Sequence, residues 1–308
     1  TVELVRVAEI IEAPVILPAL LSNVIPPPVN VVNIDNDIVS SLVLDLFVEP
    51  SPTPITNSVD SGIGAVTLNT SGYSSTPTID QNPSPLIETI VDQIVVLTLY
   101  NDSASPHSFE ALPALPATSI ISGDSATLNF KYNTVGIYRY GSSELGPRGI
   151  GYFGAVVVKP TTPTNAVWPN GPTYSQERNW ILSDIDTQWL LDSQLNISNI
   201  NTAIYTPEYF LINGLNGHAA INDVNTRIVG NVGEIFLIRI LNTGQYDQSL
   251  HFHGNHFAII SQNGMNNMTL TDINIATAPT VSTINIKRNA SAMILYTLKT
   301  PGTYPVHS

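Results

Sequence analysis

The chain is built from short apolar runs separated by polar turns, and no window carries the repeat of a sustained helix. The runs at 94–100, 235–241 and 292–298 have the length of a buried strand and are too short for an ordinary helix. Asn, Ser, Thr, Pro and Gly fill the spaces between such runs, and these residues favour turns. The sequence therefore predicts an all-β protein.

The charge of the chain limits its partners. Charged residues make up 11% of the 308 residues, against about 25% in an average soluble protein. The formal net charge is −13, and there is no basic stripe that could replace the counterions of a phosphate backbone. We therefore expect no nucleic-acid partner. No apolar run is long enough to cross a bilayer, so no transmembrane segment is expected either.

Cysteine is absent from the sequence. This absence excludes disulfides, thiolate nucleophiles and iron–sulfur clusters. It also excludes any copper centre that requires a cysteine sulfur as a ligand.

Proline marks the boundaries along the chain. Residues 1–55 combine apolar pieces with Pro26–Pro28 and with prolines at 50, 52 and 54, which predicts an extended N-terminal arm. Such an arm can pack along its own domains, or it can add a strand to another copy of the chain. A Pro/Thr-rich linker near 160–164 divides the rest into domains 56–162 and 163–308.

The two predicted domains share one order of elements. Each has a polar turn containing glycine, a long apolar strand, a segment that carries histidine, and a strand with the pattern Gly-x-Tyr. This repetition indicates that one β-sandwich unit occurs twice.

One stretch concentrates the chemistry of the chain. His251, His253 and His256 are three of the six histidines, and they follow the apolar run 235–241. Residues i and i+2 of a strand point to the same face, so the first two imidazoles should project together. Gly254 allows the backbone to bend before the third. Neutral imidazole binds copper, zinc, iron and nickel, so this stretch predicts a metal site.

Seven motifs resemble one family in order and content. In the second half they are "PEYFLING", "VGEIFLIRILNTG", "HFHGNHF" and "PGTYPVHS", and in the first half "PHSFEAL", "SGDSATLNFKYNTVGIYRY" and "GYFGAVVV". Together they resemble the multicopper oxidases and two-domain copper nitrite reductases over most of residues 80–308. This resemblance implies two cupredoxin-like Greek-key β-sandwich domains behind the N-terminal arm.

The resemblance also implies ligands. The family binds type 2 or type 3 copper through a His-x-His-Gly strand and a histidine near the end of a "PGxY" strand, which correspond to His251, His253 and His307. We add His256 because it lies close by. His107 falls where the reductases place a ligand histidine, but its expected partners are missing, so we interpret it as structural.

The departures from the family bear on function. Residues 140–142 replace the family's Tyr-His-Cys, residues 148–152 replace its later ligand segment, and Gln248 stands where the oxidases have a type 1 histidine. These changes imply that the type 1 copper centre, through which electrons enter, is lost. Ordinary family turnover is then not expected, and we assign no catalytic residue.

The end of the sequence raises a related expectation. The family continues beyond the "PGxY" strand with further ligand residues, whereas this sequence stops at Ser308. We expect either a longer natural chain or a site that another chain completes.

Three functional hypotheses follow. The first is an extracellular, cell-surface or periplasmic subunit that assembles with copies of itself, for example into filaments, through the N-terminal arm, with an optional residual copper site. The second is a copper-dependent oxidoreductase whose type 2 or type 3 site is completed by another subunit or by a missing C-terminal segment. The third is a copper-binding or storage module without turnover.

Two other residues have expected positions or roles. Asp247 is a candidate for orienting an imidazole, and His218 is expected at the surface.

Overall fold

The computed structural model describes residues 41–48, 55–60, 65–75, 82–162, 165–195, 197–262 and 278–308. Regular structure in these ranges is mostly strand. The strands up to residue 159 are β1 (Ser41–Val48), β2 (Ile55–Asp60), β3 (Ala65–Thr70), β4 (Ile87–Ile90), β5 (Ile94–Asn101), β6 (His107–Ala111), β7 (Leu115–Ile120), β8 (Asp124–Phe130), β9 (Gly136–Gly141) and β10 (Phe153–Lys159). The later strands are β11 (Gln176–Ile185), β12 (Tyr209–Ile212), β13 (Ile235–Asn242), β14 (Gln248–Phe252), β15 (Phe257–Gln262), β16 (Thr280–Val281), β17 (Thr283–Ile286), β18 (Ser291–Thr297) and β19 (Val306–His307).

Helices in the described ranges are short. They are α1 (Leu145–Gly149), α2 (Thr187–Leu195), α3 (Gly217–Asn222) and a 3-10 helix at Ile197–Asn199. None of them has the length and apolar character needed to span a membrane.

The strands form two pairs of sheets. The first pair has the orders β1-β5-β8 and β4-β10-β9-β6-β7, and β2 and β3 form a separate hairpin. The second pair has the orders β12-β11-β13-β18-β15-β16 and β17-β14-β19. The all-β fold with two sandwiches, predicted from the sequence, is confirmed. The predicted domain boundaries themselves stay a prediction.

Burial explains why some strands alternate and others are apolar throughout. Strand β5 alternates between buried and half-buried residues, because one of its faces packs on the core. Strand β13 is buried at every position after Ile235, because both of its faces are covered. Phe236 and Ile238 pack inside the second sandwich. Leu237 and Leu241 pack against residues of the first half of the chain, including Val135 and Phe153.

The two halves also share a core around α2. Trp189 and Leu190 of this helix belong to the same buried cluster as Tyr73 and Phe109. Asp186 accepts the backbone N–H groups of Gln188 and Trp189, which caps the start of α2. The capped segment Thr187–Leu195 is the longest helix among the described residues.

The predicted arm is described only in part. Strand β1 lies within residues 1–55 and pairs in parallel with β5 of the same chain, from Ser41 opposite Ile94 to Val48 opposite Asn101. Residues 1–40 and 49–54 lie outside the described ranges.

Candidate metal centre

Strand pairing brings three histidines to one face of the sheet β17-β14-β19. His251 lies opposite Thr283 on one side and opposite His307 on the other. Directly opposite residues share a face. The next pair, Phe252 and Val306, points to the other face and is buried in the core. The histidine face is therefore the outer face of this sheet.

His253 joins the pair two residues further along. The ligand nitrogens of His251, His253 and His307 all lie within 4.8 Å of one another. The Nε2 atoms of His253 and His307 are 2.9 Å apart. The ring centroids are separated by 4.7 Å for 251 and 253, 5.4 Å for 251 and 307, and 5.1 Å for 253 and 307. The structure thus brings together three of the four residues predicted as metal ligands.

The spacing suits a metal ion. Two nitrogens that each bind one metal at about 2.0 Å and at a right angle lie about 2.8 Å apart. The His253–His307 separation of 2.9 Å matches this value. All three ligand nitrogens lie within 4.8 Å of one another, whereas opposite ligands of one metal span at most about 4.2 Å. Binding of one ion by all three therefore requires the His251 imidazole to move closer to the other two.

Hydrogen bonds orient two of the rings. The Nδ1 atom of His307 is 3.2 Å from the carbonyl oxygen of Ser308, which can only accept, so Nδ1 carries the proton and Nε2 keeps its lone pair. The Nδ1 atom of His251 is 2.7 Å from the Thr283 hydroxyl. When this nitrogen donates, the Nε2 atom of His251 is likewise free to bind a metal.

The surroundings of His253 favour its neutral imidazole. His253 is exposed, and His251 and His307 are half-buried. Desolvation by neighbouring groups, followed by the charges of His251 and His307, lowers the pKa of His253 below its ordinary value. Metals bind the deprotonated nitrogen, so a lowered pKa supports binding near neutral pH.

A close backbone approach holds the histidine segments together. Gly254 has φ of 78°, and a Cβ atom there would lie 2.4 Å from the Tyr304 ring. The backbone N–H of His253 donates to the carbonyl of Pro305 over 3.1 Å. The side-chain oxygen of Asn255 accepts the N–H groups of Lys299 and Thr300. These contacts fix the loop after β14 against the segment that leads into β19.

His256 is exposed and lies outside the group of three. Its role as a ligand stays a prediction. His218, expected at the surface, is exposed on α3.

His107 lies in the core among aromatic side chains, as its interpretation as a structural residue requires. It is buried, and its Nε2 atom lies 2.8 Å from the hydroxyl of Tyr73. Its ring also packs edge-on against Tyr152 at a centroid distance of 4.8 Å. Burial lowers the pKa of His107 to about 4. Close by, the hydroxyl of Ser108 contacts that of Ser142 at 3.0 Å.

Gln248 and Asp247 come just before the histidine stretch, and their side chains contact groups outside the cluster. Gln248 is buried and its amide group lies 3.4 Å from the carboxylate of Asp184. Asp247, considered for orienting an imidazole, instead accepts the backbone N–H of Arg288 at 2.9 Å. Thr283 is the residue that contacts His251, and the sequence interpretation missed it. The alternation of Thr283–Ile286 could have indicated a strand with Thr283 on its exposed face, but not the strand beside it.

The first sandwich repeats the pairing without the histidines. Strand β6 pairs with β9 so that Glu110 lies opposite Gly141 and Ala111 opposite Tyr140. In the second sandwich the corresponding pairs are His251 with His307 and Phe252 with Val306. A carboxylate and a glycine therefore occupy the positions of the histidine pair. Glu110 forms an ion pair with buried Arg139.

Comparisons with known proteins agree with this architecture. The multicopper oxidase family model matches residues 186–308. Among solved structures, the blue copper oxidase from Nitrosomonas europaea is 17% identical, with a TM-score of 0.63 over 86% of this chain and 78% of that chain. The multicopper oxidase mgLAC is 16% identical, with a TM-score of 0.63 over 86% of this chain and 78% of that chain.

A reductase is similar to the same degree. The copper nitrite reductase from Nitrosomonas europaea is 15% identical, with a TM-score of 0.60 over 87% of this chain and 88% of that chain. A search of curated proteins found no match. Residues 186–308 match the multicopper oxidase family model, and the chain has the cupredoxin fold of the copper oxidases and the copper nitrite reductase to which it is similar, as the sequence predicted. The part that matches the family model includes all three histidines of the cluster.

Proposed function

We propose that this chain is a copper-binding protein whose ion is held by His251, His253 and His307. The approach of three imidazole nitrogens to within 4.8 Å on one face of a sheet carries this proposal. Like-charged imidazolium groups would repel one another at this distance, so the arrangement favours a shared cation. A bound copper ion supplies one-electron chemistry. The chain supplies the orientation of the rings, through Thr283 and the carbonyl of Ser308.

We further propose that the chain lacks a type 1 centre and does not sustain oxidase turnover on its own. The absence of cysteine supports this, because a type 1 site requires a cysteine sulfur. Tyr73 and Tyr152 pack directly on His107, and Gln248 is bonded to Asp184. His107 is therefore enclosed by aromatic side chains, and the amide of Gln248 is engaged by a carboxylate.

Metal analysis tests the binding proposal. The metal-free protein is titrated with Cu²⁺ and Zn²⁺, and the bound metal is measured together with the paramagnetic resonance of Cu²⁺. We expect one Cu²⁺ per chain with nitrogen ligands. The variant His307→Ala should lose this binding, whereas His218→Ala, which changes an exposed histidine on α3, should retain it. Equal binding by both variants would contradict the proposal.

The number of protein ligands supports an incomplete site. A closed site usually takes four ligands, and the cluster offers three. His256, another subunit or a C-terminal extension is therefore proposed to complete the site. If another subunit or a C-terminal extension completes the site, the alternative function is that of a copper-dependent oxidoreductase. Oxidase and reductase assays on the copper-loaded assembly distinguish this alternative from a module that only binds copper.

A second candidate function is that of a self-assembling subunit. Strand β1 lies at the edge of its sheet, and Val43 in it is 37% exposed. This strand belongs to the predicted arm 1–55, whose residues 1–40 precede it in the chain, and edge strands pair readily with other chains. Light scattering and electron microscopy of the full chain and of a 1–40 deletion test this role. Monomers in both preparations would contradict it.

We also propose a location outside the cytoplasm. The low charge and the five Asn-x-Ser/Thr sequons at 69, 101, 196, 267 and 289 support this location. Fractionation of the native cells tests it. At Asn101 the side chain is buried and donates to the carbonyls of Ser105 and Ile120, so a glycan is not expected there.

A further inference from the structure

Strand β1 is an edge of the sheet β1-β5-β8, and half of its backbone groups face away from β5. Phe47 identifies that half, because its N–H donates to the carbonyl of Ser74 at 3.0 Å and its carbonyl accepts the N–H of Ser74 at 3.1 Å. The carbonyl of Val48 instead accepts the N–H of Asp102, the residue after β5. The two directions alternate along a strand, so the odd-numbered residues of β1 face away from β5.

The first three of these outward residues leave an open edge. They are Ser41, Val43 and Asp45, and none of their outward N–H and C=O groups bonds to a described residue. A row of unpaired groups on an edge strand is a template for another strand. Proline, which blocks such pairing, occurs in the edge strand β7 at Pro116 and is absent from β1.

The two faces of β1 define the strand that fits beside it. Leu42, Leu46 and Val48 are buried in the core, whereas Val43 and Asp45 are exposed on the outer face. Asp45 forms no ion pair with a described residue. A strand that extends this sheet should therefore be apolar on its inner face and carry a cation on its outer face.

Residues 3–9 have this pattern. Their sequence is ELVRVAE, and Arg6 is the only lysine or arginine in the first third of the chain. In an extended strand Val5 and Val7 share one face, and Arg6 lies on the other. The two valines favour strands and would extend the core face, while Arg6 would lie beside Asp45.

The sequence between this segment and β1 favours pairing with a second copy of the chain. Residues 10–40 include prolines at 14, 18, 26, 27 and 28. Proline favours an extended backbone with a rise of about 3.1 Å per residue, so a proline-rich linker acts as a spacer. Such a linker favours placing residues 3–9 at a distance from the β1 of their own chain.

We propose that residues 3–9 of one copy add as a strand to the edge of β1 in a second copy, with Arg6 beside Asp45. Main-chain hydrogen bonds to Val43 and Asp45 supply affinity, and the alternation of valine and arginine fixes the register. The inference rests on the proposed self-assembling function and deepens it, because it assigns the two surfaces that meet. Such a contact is heterologous, so its repetition builds a filament or closes a ring.

The absence of cysteine allows a direct test of this contact. Chains of 308 residues that carry Arg6→Cys or Asp45→Cys are mixed in dilute solution, concentrated and oxidised. We expect a disulfide-linked dimer in the mixture, because neighbouring strands bring opposite Cβ atoms close to bonding distance. Asp124→Cys, at the opposite edge of the same sheet on β8, replaces Asp45→Cys as the control and should give no such dimer.

Charge exchange tests the ion pair. Arg6→Asp and Asp45→Arg each place like charges side by side and should raise the dissociation constant of self-association about 2- to 30-fold. The double exchange restores opposite charges and should recover the wild-type constant. Asp124→Arg, the matched control on β8, should leave it unchanged. Sedimentation velocity over a range of concentrations measures these constants.

Val43→Pro tests the backbone contact. Proline removes an N–H that β5 does not use and is tolerated on edge strands, so circular dichroism should show an unchanged fold. Loss of one hydrogen bond should weaken association about 2- to 10-fold. Val43→Thr keeps the N–H and should associate as the wild type does. If Val43→Pro does not fold, the cross-link and the charge exchange decide the question.

The outcomes separate this inference from the function on which it rests. A chain that stays monomeric at every concentration overturns both. Assembly without the cross-link, or without an effect of the charge exchange, overturns the contact and leaves self-assembly standing. A double variant, Arg6→Cys with Asp45→Cys, that closes its disulfide within one chain, while the mixture gives no linked dimer, also overturns the proposal. In that case the chain's own residues 3–9 cover β1.

Discussion

The Nδ1 atom of His251 lies 2.7 Å from the hydroxyl oxygen of Thr283, on the side of β14 away from His307. This contact ties a candidate ligand to a strand that carries no other member of the cluster. It also determines which nitrogen of His251 faces the other two imidazoles. Thr283 itself is exposed, so its hydrogen bond orients the His251 ring and does not stabilise the core.

Thr283→Val should therefore weaken metal binding without unfolding the protein. Loss of a partner that orients a ligand imidazole typically costs about 10- to 100-fold in metal affinity. The free energy of unfolding of the metal-free protein should change by no more than about 0.5 kcal/mol. Competition with a chromophoric chelator measures the affinity. Thr283→Ser keeps the hydroxyl and should have the metal affinity of the wild type. Equal affinity of the wild type and both variants would exclude an orienting role.

Gly254→Ala should destabilise the loop that carries His253. The residue has φ of 78°, and the new Cβ atom would lie 2.4 Å from the Tyr304 ring. Backbone strain of about 1–2 kcal/mol adds to an overpacking cost of about 1–3 kcal/mol. Urea unfolding measures the loss. Gly233 also has positive φ, 96°, but nothing lies within 4 Å of its added Cβ atom, so Gly233→Ala should show the backbone cost alone.

The histidine stretch shows what a sequence can and cannot predict about this site. The common face of His251 and His253 follows from the two-residue period of a strand, which is a local property. His307 is 56 positions from His251 and joined the prediction only through the family resemblance. The position of His307 beside His251 depends on the pairing of β14 with β19. The position of Thr283 on the other side of His251 depends on the pairing of β14 with β17. Such non-local pairing is not encoded in either segment alone.

Helix α1 illustrates a second limit. Its sequence contains Gly146, Pro147 and Gly149, which are poor helix formers, so no helix is predicted there. In the structure these small residues are buried, and Gly149 leaves room for the Trp189 ring. Packing therefore overrides local propensity. By contrast, the apolar runs 94–100, 235–241 and 292–298 are strong local signals, and they coincide with β5, β13 and β18.

His107 should make the protein sensitive to mild acid. Its pKa is about 4 in the folded chain, below the ordinary value of 6.5, because burial disfavours the charged ring. Above pH 6.5 the ring is neutral in both states and its contribution to stability is fully present. Between pH 6.5 and pH 4 the unfolded chain binds the proton more readily, so stability falls as pH falls. The loss is about 3 kcal/mol.

The comparison with His107→Phe isolates this contribution. Phenylalanine keeps an aromatic ring beside Tyr73 and Tyr152 but does not titrate in this range. Urea unfolding of the metal-free proteins measures the free energy of unfolding between pH 7 and pH 4. Its decrease over this range should be about 3 kcal/mol smaller for the variant than for the wild type. Parallel pH profiles would show that His107 does not contribute.

Glu177 should be essential to the ion-pair network around the buried Arg239. Its carboxylate lies 2.9 Å from Arg239 and 2.7 Å from Lys159, which also contacts Glu88 at 3.0 Å. Arg239 is 2% exposed, so Glu177→Gln leaves its charge without a full counter-charge in the interior. Removing one partner of a buried pair costs about 3–5 kcal/mol. Lys159→Met removes a side chain that is 32% exposed and should cost about 1 kcal/mol or less.

The pH dependence of this network provides an independent test. Burial alone would raise the pKa of Glu177, but the charges and hydrogen bonds of Arg239 and Lys159 prevail and lower it to about 2, from an ordinary value of 4.5. Its contribution is therefore present above pH 4.5 and is lost as the pH falls towards 2. In urea unfolding, Glu177→Gln should flatten the stability profile of the wild type in this range. An unchanged profile, or equal losses in Glu177→Gln and Lys159→Met at pH 7, would show that Arg239 does not depend on this carboxylate.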